Sequence, residues 1–163
     1  MTTIRYNPLC HSGDMEIVEL EPWFDDPQFL HLVELACGFS DHNVLHRVVH
    51  DELSKQICVG FVGDGVPIAL ASYLLDAAAV IEYIAVTEES QHSGLGSRLI
   101  AYVRAQAGAR DVIAETDDDA VDFYRRLGFA IGPGPAHERY PGVRRYRCVL
   151  TRSTGNGGGG IPD

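Results

Sequence analysis

The chain has 163 residues, 45% of them hydrophobic, which is enough to bury one sizeable core and does not call for a second domain. Its 13 Lys+Arg stand against 23 Asp+Glu, a formal charge of −10 that argues against a general nucleic-acid or anionic-membrane surface and would welcome a cationic acceptor. Four cysteines, Cys10, Cys37, Cys58 and Cys148, are scattered without a C-x-x-C pair or a secretory signal, and read as reduced core thiols.

The start, Met1 to Pro8, has no apolar signal region, and the longest apolar stretches are interrupted at Asp76 and Glu82 before they could span a bilayer. A cytoplasmic protein is expected. A strand near Glu16 to Leu20 is followed by helices over Pro27 to Cys37 and Asp41 to Leu53, with Gly38 to Ser40 as the break and Asp41 as a cap. These two helices are placed to shape an acceptor site. Gln56 to Gly63 and Val66 to Leu75 are strand-like and are joined by Asp64-Gly65, a strong hairpin signal. Val80 to Val86 forms the next strand. A helix over Gly94 to Ala107 presents Leu95, Leu99, Tyr102 and Val103 at helical spacing and stops at Gly108. Asp111 to Glu115 is a short strand, Thr116 or Asp117 caps a helix over Ala120 to Leu127, and Phe129 to Ile131 and Val143 to Thr151 close the sheet around a Gly132 to Pro135 loop. Residues 1–152 are expected to form the folded domain and the glycine-rich 153–163 a flexible tail.

The most informative stretch runs from Ile81 to Ile100, where a buried-strand pattern breaks into a glycine turn and then a helix. Gly94 and Gly96 remove Cβ atoms where the backbone bends and approaches a ligand, and the N–H groups of Gln91 to Ser97 stand at the positive end of the helix. That turn suits a phosphate or pyrophosphate. Its spacing is neither that of a nucleotide-hydrolysing phosphate loop nor that of a dinucleotide fingerprint.

Gln91-x-x-Gly94-x-Gly96, after a strand carrying Glu82 and before Asp117 to Phe129 with its Ala120, Phe123, Tyr124, Gly128 and Phe129, resembles the GNAT acetyltransferases. The resemblance runs from about Val66 to Val149. It implies an α/β (α+β) fold with a mixed, mostly antiparallel, splayed sheet flanked by helices on both faces. It also implies that acetyl-coenzyme A is the co-substrate, held by Ile84, Ala85, Val86, Gln91, His92, Ser93, Gly94, Leu95, Gly96, Ser97, Asp117, Ala120 and Tyr124. In that picture the Ile84 N–H meets the oxyanion, Val86 pairs with the pantetheine arm as an added strand would, and no metal takes part. Asp117 stands where the family usually has asparagine, and Thr87-Glu88-Glu89 replaces a frequent proline, which puts carboxylates near an anion site.

Acetyl transfer to a protonated amine needs a base, an oxyanion donor and help for the departing thiolate. Glu82 is the candidate base, acting through a water, because its strand neighbours Ile81, Tyr83 and Ile84 would desolvate it and raise its pKa; a solvated or ion-paired strand residue is the alternative. Tyr124 is the candidate acid by its place in the family motif, and otherwise an aromatic packing residue beside Phe123 and Phe129. The expected reaction is direct attack by a primary amine in a ternary complex. A small-molecule amine is slightly favoured over a protein lysine or N-terminal amine, and a coenzyme A-binding regulatory or scaffold protein without efficient catalysis is the alternative of a different class.

His42, His46 and His50 fall on one helix face, where they can hold a metal, line the acceptor cleft, or form a solvated or dimer-facing stripe; a homodimer is compatible with this. Trp23 and Phe24 read as core anchors that can also edge an acceptor pocket. Arg144, Arg145 and Arg147 read as strand residues that balance the acidic surface.

Overall fold

Hydrophobic alternation along the central strands buries both faces of one sheet, and the helices divide between those faces. The computed structural model describes residues 15–152, so Cys10 and the 153–163 tail lie outside the described residues. In chain order the elements are β1 (Val18–Glu19), α1 (Pro27–Cys37), α2 (His42–Arg47), β2 (Ile57–Gly63), β3 (Val66–Leu75), β4 (Ala79–Val86), α3 (Leu95–Ala107), β5 (Val112–Thr116), α4 (Val121–Arg126), β6 (Ala130–Pro133) and β7 (Tyr146–Leu150). The seven strands lie in the order β1-β2-β3-β4-β5-β7-β6. Every neighbouring pair is antiparallel except β4 with β5. The mixed, mostly antiparallel sheet with helices on both faces is therefore the architecture expected.

One core lies between the sheet and α3 and α4, and is built on Phe61, Tyr73, Leu99 and Val103. The other lies under α1 and α2, and is built on Leu20, Phe29, Leu32 and Leu70. Helix α1 starts where the sequence says it should: Asp26 accepts from the Gln28 N–H, Pro27 occupies the first turn, and Gly38 ends the helix at φ 75°. The β2–β3 hairpin closes on Asp64 and Gly65, both at positive φ (51° and 80°), with Gly63 paired to Val66. Cys37, Cys58 and Cys148 are free and buried.

Four expectations need correction. The helix expected over Asp41 to Leu53 keeps α-helical pitch only to Arg47, then widens into a π-turn over Val48–Glu52 and tightens into a 3₁₀ turn over Leu53–Lys55. Burial of Val48, Val49 and Leu53 together selects that changing pitch. Neither Thr116 nor Asp117 caps α4: the Asp117 carboxylate accepts from the Asp119 N–H in a turn before the helix, and the position at the helix start is Ala120, which has no side-chain cap. Strand β7 begins at Tyr146, because backbone turns from Val143 to Tyr140 and from Tyr140 to His137 hold the preceding residues out of the sheet. Strand β6 reaches Pro133, which an edge strand tolerates because its missing N–H faces no neighbour.

Gly60 in β2 is where backbone approach is tightest, since a Cβ there would lie 1.9 Å from the Ala69 carbonyl oxygen and 2.7 Å from Leu20 Cδ1. Gly60→Ala is expected to cost about 3 kcal/mol or more, lowering the thermal midpoint by roughly 6–12 °C. Gly132→Ala, where an added Cβ meets nothing within 4 Å, is expected to leave it unchanged. Thermal unfolding of the two variants followed by circular dichroism checks both.

Candidate active site

The site begins where two strands part. Strands β4 and β5 pair in parallel at Ala79 with Val112, Val80 with Ile113 and Ile81 with Ala114, and no further. Beyond that point β5 continues with β7 to Thr116 while β4 stays with β3 to Val86. The pairing of β4 to β3 slips at this place: Ser72 faces Tyr83 and Tyr73 faces Ile81, so Glu82 is the extra residue of a β-bulge. The bulge re-aims the strand. Ile81 belongs to the core under α3, and Tyr83, two positions on, belongs to the core under α1.

Antiparallel ladders alternate bonded and non-bonded pairs, and the bond from the Thr87 N–H to the Ile68 carbonyl (2.9 Å) sets the phase for β4. By that alternation Ala85 bonds to β3, while Ile84 and Val86 turn their backbone groups toward the gap left by β5. The Gln91 side chain donates to the Val86 carbonyl (3.1 Å), as that orientation requires. The result is a short unpaired strand edge inside the molecule, at Ile84 to Val86, the three residues the sequence singles out.

The Gln91 to Ser97 turn follows directly. His92 and Gly94 adopt positive φ (64° and 84°), and the Ser93 hydroxyl donates to the Ser90 carbonyl. The first bond of α3 runs from the Arg98 N–H to the Gly94 carbonyl (3.1 Å), so the N–H groups of Leu95, Gly96 and Ser97 have no partner within the helix. A Cβ on Gly94 would meet nothing within 4 Å, whereas one on Gly96 would lie 3.2 Å from the Phe123 ring. Gly94 thus serves the bend, and Gly96 serves close packing of α3 on α4. Glu88, just before the turn, is held by His31 at 3.0 Å.

A cleft of about 760 Å³ opens at the strand divergence and is lined by Glu82, Ile84, Asp117, Ala120 and Tyr124, so it joins β4 to the second motif, whereas Ala85, Val86 and the Gln91 to Ser97 turn are not part of its lining. Desolvation raises the Glu82 pKa above its ordinary value, and the carboxylates of Glu52 and Glu115 raise it further. Among the described residues Glu82 makes no side-chain hydrogen bond and no ion pair. Tyr124 is 3% exposed, its ring set edge-on to Phe123 and Phe129 at 5.1 and 5.2 Å. Burial pushes its phenol well above the ordinary value, so it stays protonated at neutral pH.

The sequence did not disclose the other wall. Arg139 donates to Glu52 (2.5 Å) and to the Tyr83 hydroxyl (2.7 Å), and Tyr83 in turn donates to Glu52. Burial raises the Glu52 pKa, but the bonds from Arg139 and Tyr83 and the charge of Arg139 outweigh it and hold the carboxyl below its usual range. Tyr140 donates to the Cys37 carbonyl (2.7 Å) and stacks on Phe39 at 5.5 Å, tying the β6–β7 connection to the end of α1. Partners 56, 87 and 103 residues apart in the chain carry no local sequence signal.

Several candidates fall elsewhere. His42, His46 and His50 are exposed and do not line the cleft; the His46 and His50 rings lie 4.1 Å apart, and no cluster of three metal-ligating side chains occurs among the described residues. Trp23 donates to the Gly65 carbonyl and Phe24 stacks on Phe29, both at the core under α1 and away from the cleft. Arg147 pairs with Glu115 at 3.8 Å and Arg144 lies over Tyr146, but Arg145 enters the cleft and is not a surface balance for the acidic residues. No helix among the described residues is long and apolar enough to cross a membrane.

Solved structures share this fold. A GNAT-family protein from Desulfovibrio desulfuricans superposes with a TM-score of 0.66 at 23% identity, over 85% of this chain and 98% of its own. An aminoglycoside 6'-N-acetyltransferase complexed with coenzyme A gives 0.68 at 15% identity, over 84% and 97%. An acetyltransferase from Bacillus subtilis in complex with coenzyme A gives 0.62 at 19% identity, over 85% and 99%. No curated protein matches the sequence. The family model of the acetyltransferase (GNAT) domain matches residues 43–131, more than half of the chain, and with the splayed sheet and glycine turn it identifies the chain as a member of the GNAT acetyltransferases.

Proposed function

We propose that the protein moves the acetyl group of acetyl-coenzyme A to a primary amine by direct attack in a ternary complex. The observation that carries this reading is the unpaired strand edge that begins at Ile84, which lines one cleft together with a carboxylate of raised pKa and a buried phenol. The neighbours solved with coenzyme A support the choice of co-substrate.

The residues divide the work. The N–H groups of Leu95, Gly96 and Ser97 receive the pyrophosphate, aided by the positive end of α3. The Val86 edge accepts the pantetheine arm as a further strand would be accepted. Glu82, through one water, takes the proton of the ammonium form and frees a lone pair for attack on the thioester carbon. The Ile84 N–H meets the oxygen as it gains charge. The carbon–sulfur bond then breaks, and the Tyr124 hydroxyl donates to the departing sulfur. A phenol whose pKa burial has raised is a weak acid but a reliable donor, so its work is to stabilise the thiolate by a hydrogen bond; the second proton, lost by nitrogen as the adduct collapses, completes the thiol, and the ammonium proton taken by Glu82 returns to solvent. The products are an amide and free coenzyme A.

Replacing Gly94 by valine puts a side chain into the open space in front of the turn at a backbone conformation that disfavours it. Affinity for acetyl-coenzyme A, measured by titration calorimetry, is expected to fall by roughly tenfold or more, with the fold retained by circular dichroism. Unchanged affinity in a folded Gly94→Val protein would remove the turn from the binding site.

Glu82→Gln is expected to lower turnover by about 10²–10⁴ and to flatten the acidic limb of the pH–rate profile. Tyr124→Phe is expected to lower turnover without moving that limb. Stability gives an independent readout. A carboxyl whose folded pKa lies above its unfolded value contributes stability at low pH that is lost as pH rises through the folded pKa, so ionised Glu82 weakens the fold at neutral pH. Glu82→Gln is therefore expected to raise the thermal midpoint at pH 7, by an amount that vanishes as the pH is taken below the ordinary value of 4.5. A variant that is slower but no more stable would show that Glu82 is already compensated in the native protein.

A further inference from the structure

The acceptor end of the cleft holds more positive charge than the overall balance of the chain suggests. His137, Arg139 and Arg145 all come from the connection between β6 and β7, and all line it. Arg139 is already engaged by Glu52 and Tyr83, and the His137 Nδ1 accepts from the Arg139 backbone N–H at 3.1 Å. Arg145 is not engaged in this way. Its guanidinium lies over the Tyr140 ring at 5.0 Å, and no carboxylate among the described residues forms an ion pair with it. Its Nε–H is the one buried side-chain N–H among the described residues that has no acceptor. A planar fork of donors fixed by stacking, within a chain of formal charge −10, is suited to a carboxylate brought by a ligand.

Negative charge is close by. Glu82 and Asp117 line the same cleft, and neither forms an ion pair among the described residues. Asp117 is held by the Asp119 N–H, which leaves Glu82 as the carboxylate without a partner, and a site with an unpaired guanidinium and an unpaired carboxylate is complementary to a ligand that bears both signs. Size is limited as well, because the Tyr140 bond to Cys37, the Phe39–Tyr140 stack and the Arg139–Glu52 pair fasten the β6–β7 connection over this end.

We propose, on the footing of the acetyl-transfer reading above, that the acceptor is a small primary amine that carries a carboxylate, an amino acid or close analogue. Arg145 holds the carboxylate while the amine faces Glu82. The transfer then yields an N-acetyl amide that keeps its carboxylate, together with coenzyme A thiol.

The test uses the full chain with acetyl-coenzyme A, follows thiol release, and compares amino acids of varied amine-to-carboxylate spacing with their own carboxamides. The best amino acid is expected to exceed its carboxamide in kcat/KM by about tenfold or more. Arg145→Gln is expected to lower kcat/KM for that amino acid by roughly 10²-fold, mainly through KM. The same change should leave the carboxamide reaction and the affinity for acetyl-coenzyme A as they were, and Arg145→Lys should restore part of the loss. Equal or better turnover of carboxamides would overturn the proposal and leave acetyl transfer standing, and it needs no variant to be seen. An equal loss on both substrates in Arg145→Gln, or weaker cofactor binding, would also overturn it by making Arg145 structural or cofactor-facing. Absence of thiol release with every amine would overturn both readings together.

Discussion

Everything in the active site depends on three residue pairs and their abrupt end. Parallel strands β4 and β5 bond from Ala79 to Ile81 and then separate. A buried strand edge is ordinarily a liability, because unpaired N–H and C=O groups away from water cost about 1–3 kcal/mol each. Here the cost is contained. Alternation leaves only the groups of Ile84 and Val86 facing the gap, and Gln91 takes up the Val86 carbonyl. What remains is a backbone socket with the N–H groups of Ile84 and Val86 facing the gap, bounded by the Gln91 to Ser97 turn at one end and by Glu82 at the other.

The bulge at Glu82 connects the two faces of the sheet. Without the extra residue, Tyr83 would fall on the α3 face beside Ile81, as strict period two demands. With it, Tyr83 joins the α1 core and reaches Glu52 and Arg139, while Tyr124 stays on the other face with Phe123 and Phe129. The two walls of the cleft are thus built from different layers. They meet only where the sheet is open. The Glu52–Tyr83–Arg139 network is half-buried, so its charges gain more from one another than an exposed pair would, and every member has a partner. It supplies a fixed wall against which Glu82 and Arg145 are left unpaired.

Much of this was legible in the sequence, and the reasons are local. Asp26-Pro27 and Gly38 delimit α1, Asp64-Gly65 closes the β2–β3 hairpin, and the Gln91 to Gly96 turn declares itself through glycine spacing, because each is decided within about four residues. Misplaced features were those in which tertiary contacts compete with a local rule. Asp117 has the chemistry of a cap but spends its carboxylate on the Asp119 N–H. The histidine stripe has the spacing for one α-helical face, but pitch changes at Val48, so the spacing no longer guarantees a shared site. Arg145 looked like one of three surface arginines, and only the fastening of the β6–β7 connection to α1 turns it inward.

Desolvation, partial at the exposed Glu82 and nearly complete at Tyr124, shifts both groups in the same direction with opposite chemical consequences. In each the neutral form is favoured relative to the free side chain. For the carboxyl, a raised pKa makes the ionised form a stronger base, closer to the range in which proton removal from an ammonium is effective near neutral pH. For the phenol, it moves ionisation further from neutral pH and commits the hydroxyl to donating. Partial desolvation acts on Glu82, which stays exposed where the sheet opens, and full burial acts on Tyr124, so one effect in two degrees suits the first to the proposed role of proton acceptor and the second to that of hydrogen-bond donor. The Glu52 and Glu115 carboxylates add to the first effect and not to the second, since like charge acts on Glu82, whereas Tyr124 sits among aromatic rings. The proposed division of labour between base and donor then follows from position, with Glu82 the bulge residue where the sheet opens and Tyr124 a member of the core under α3 and α4.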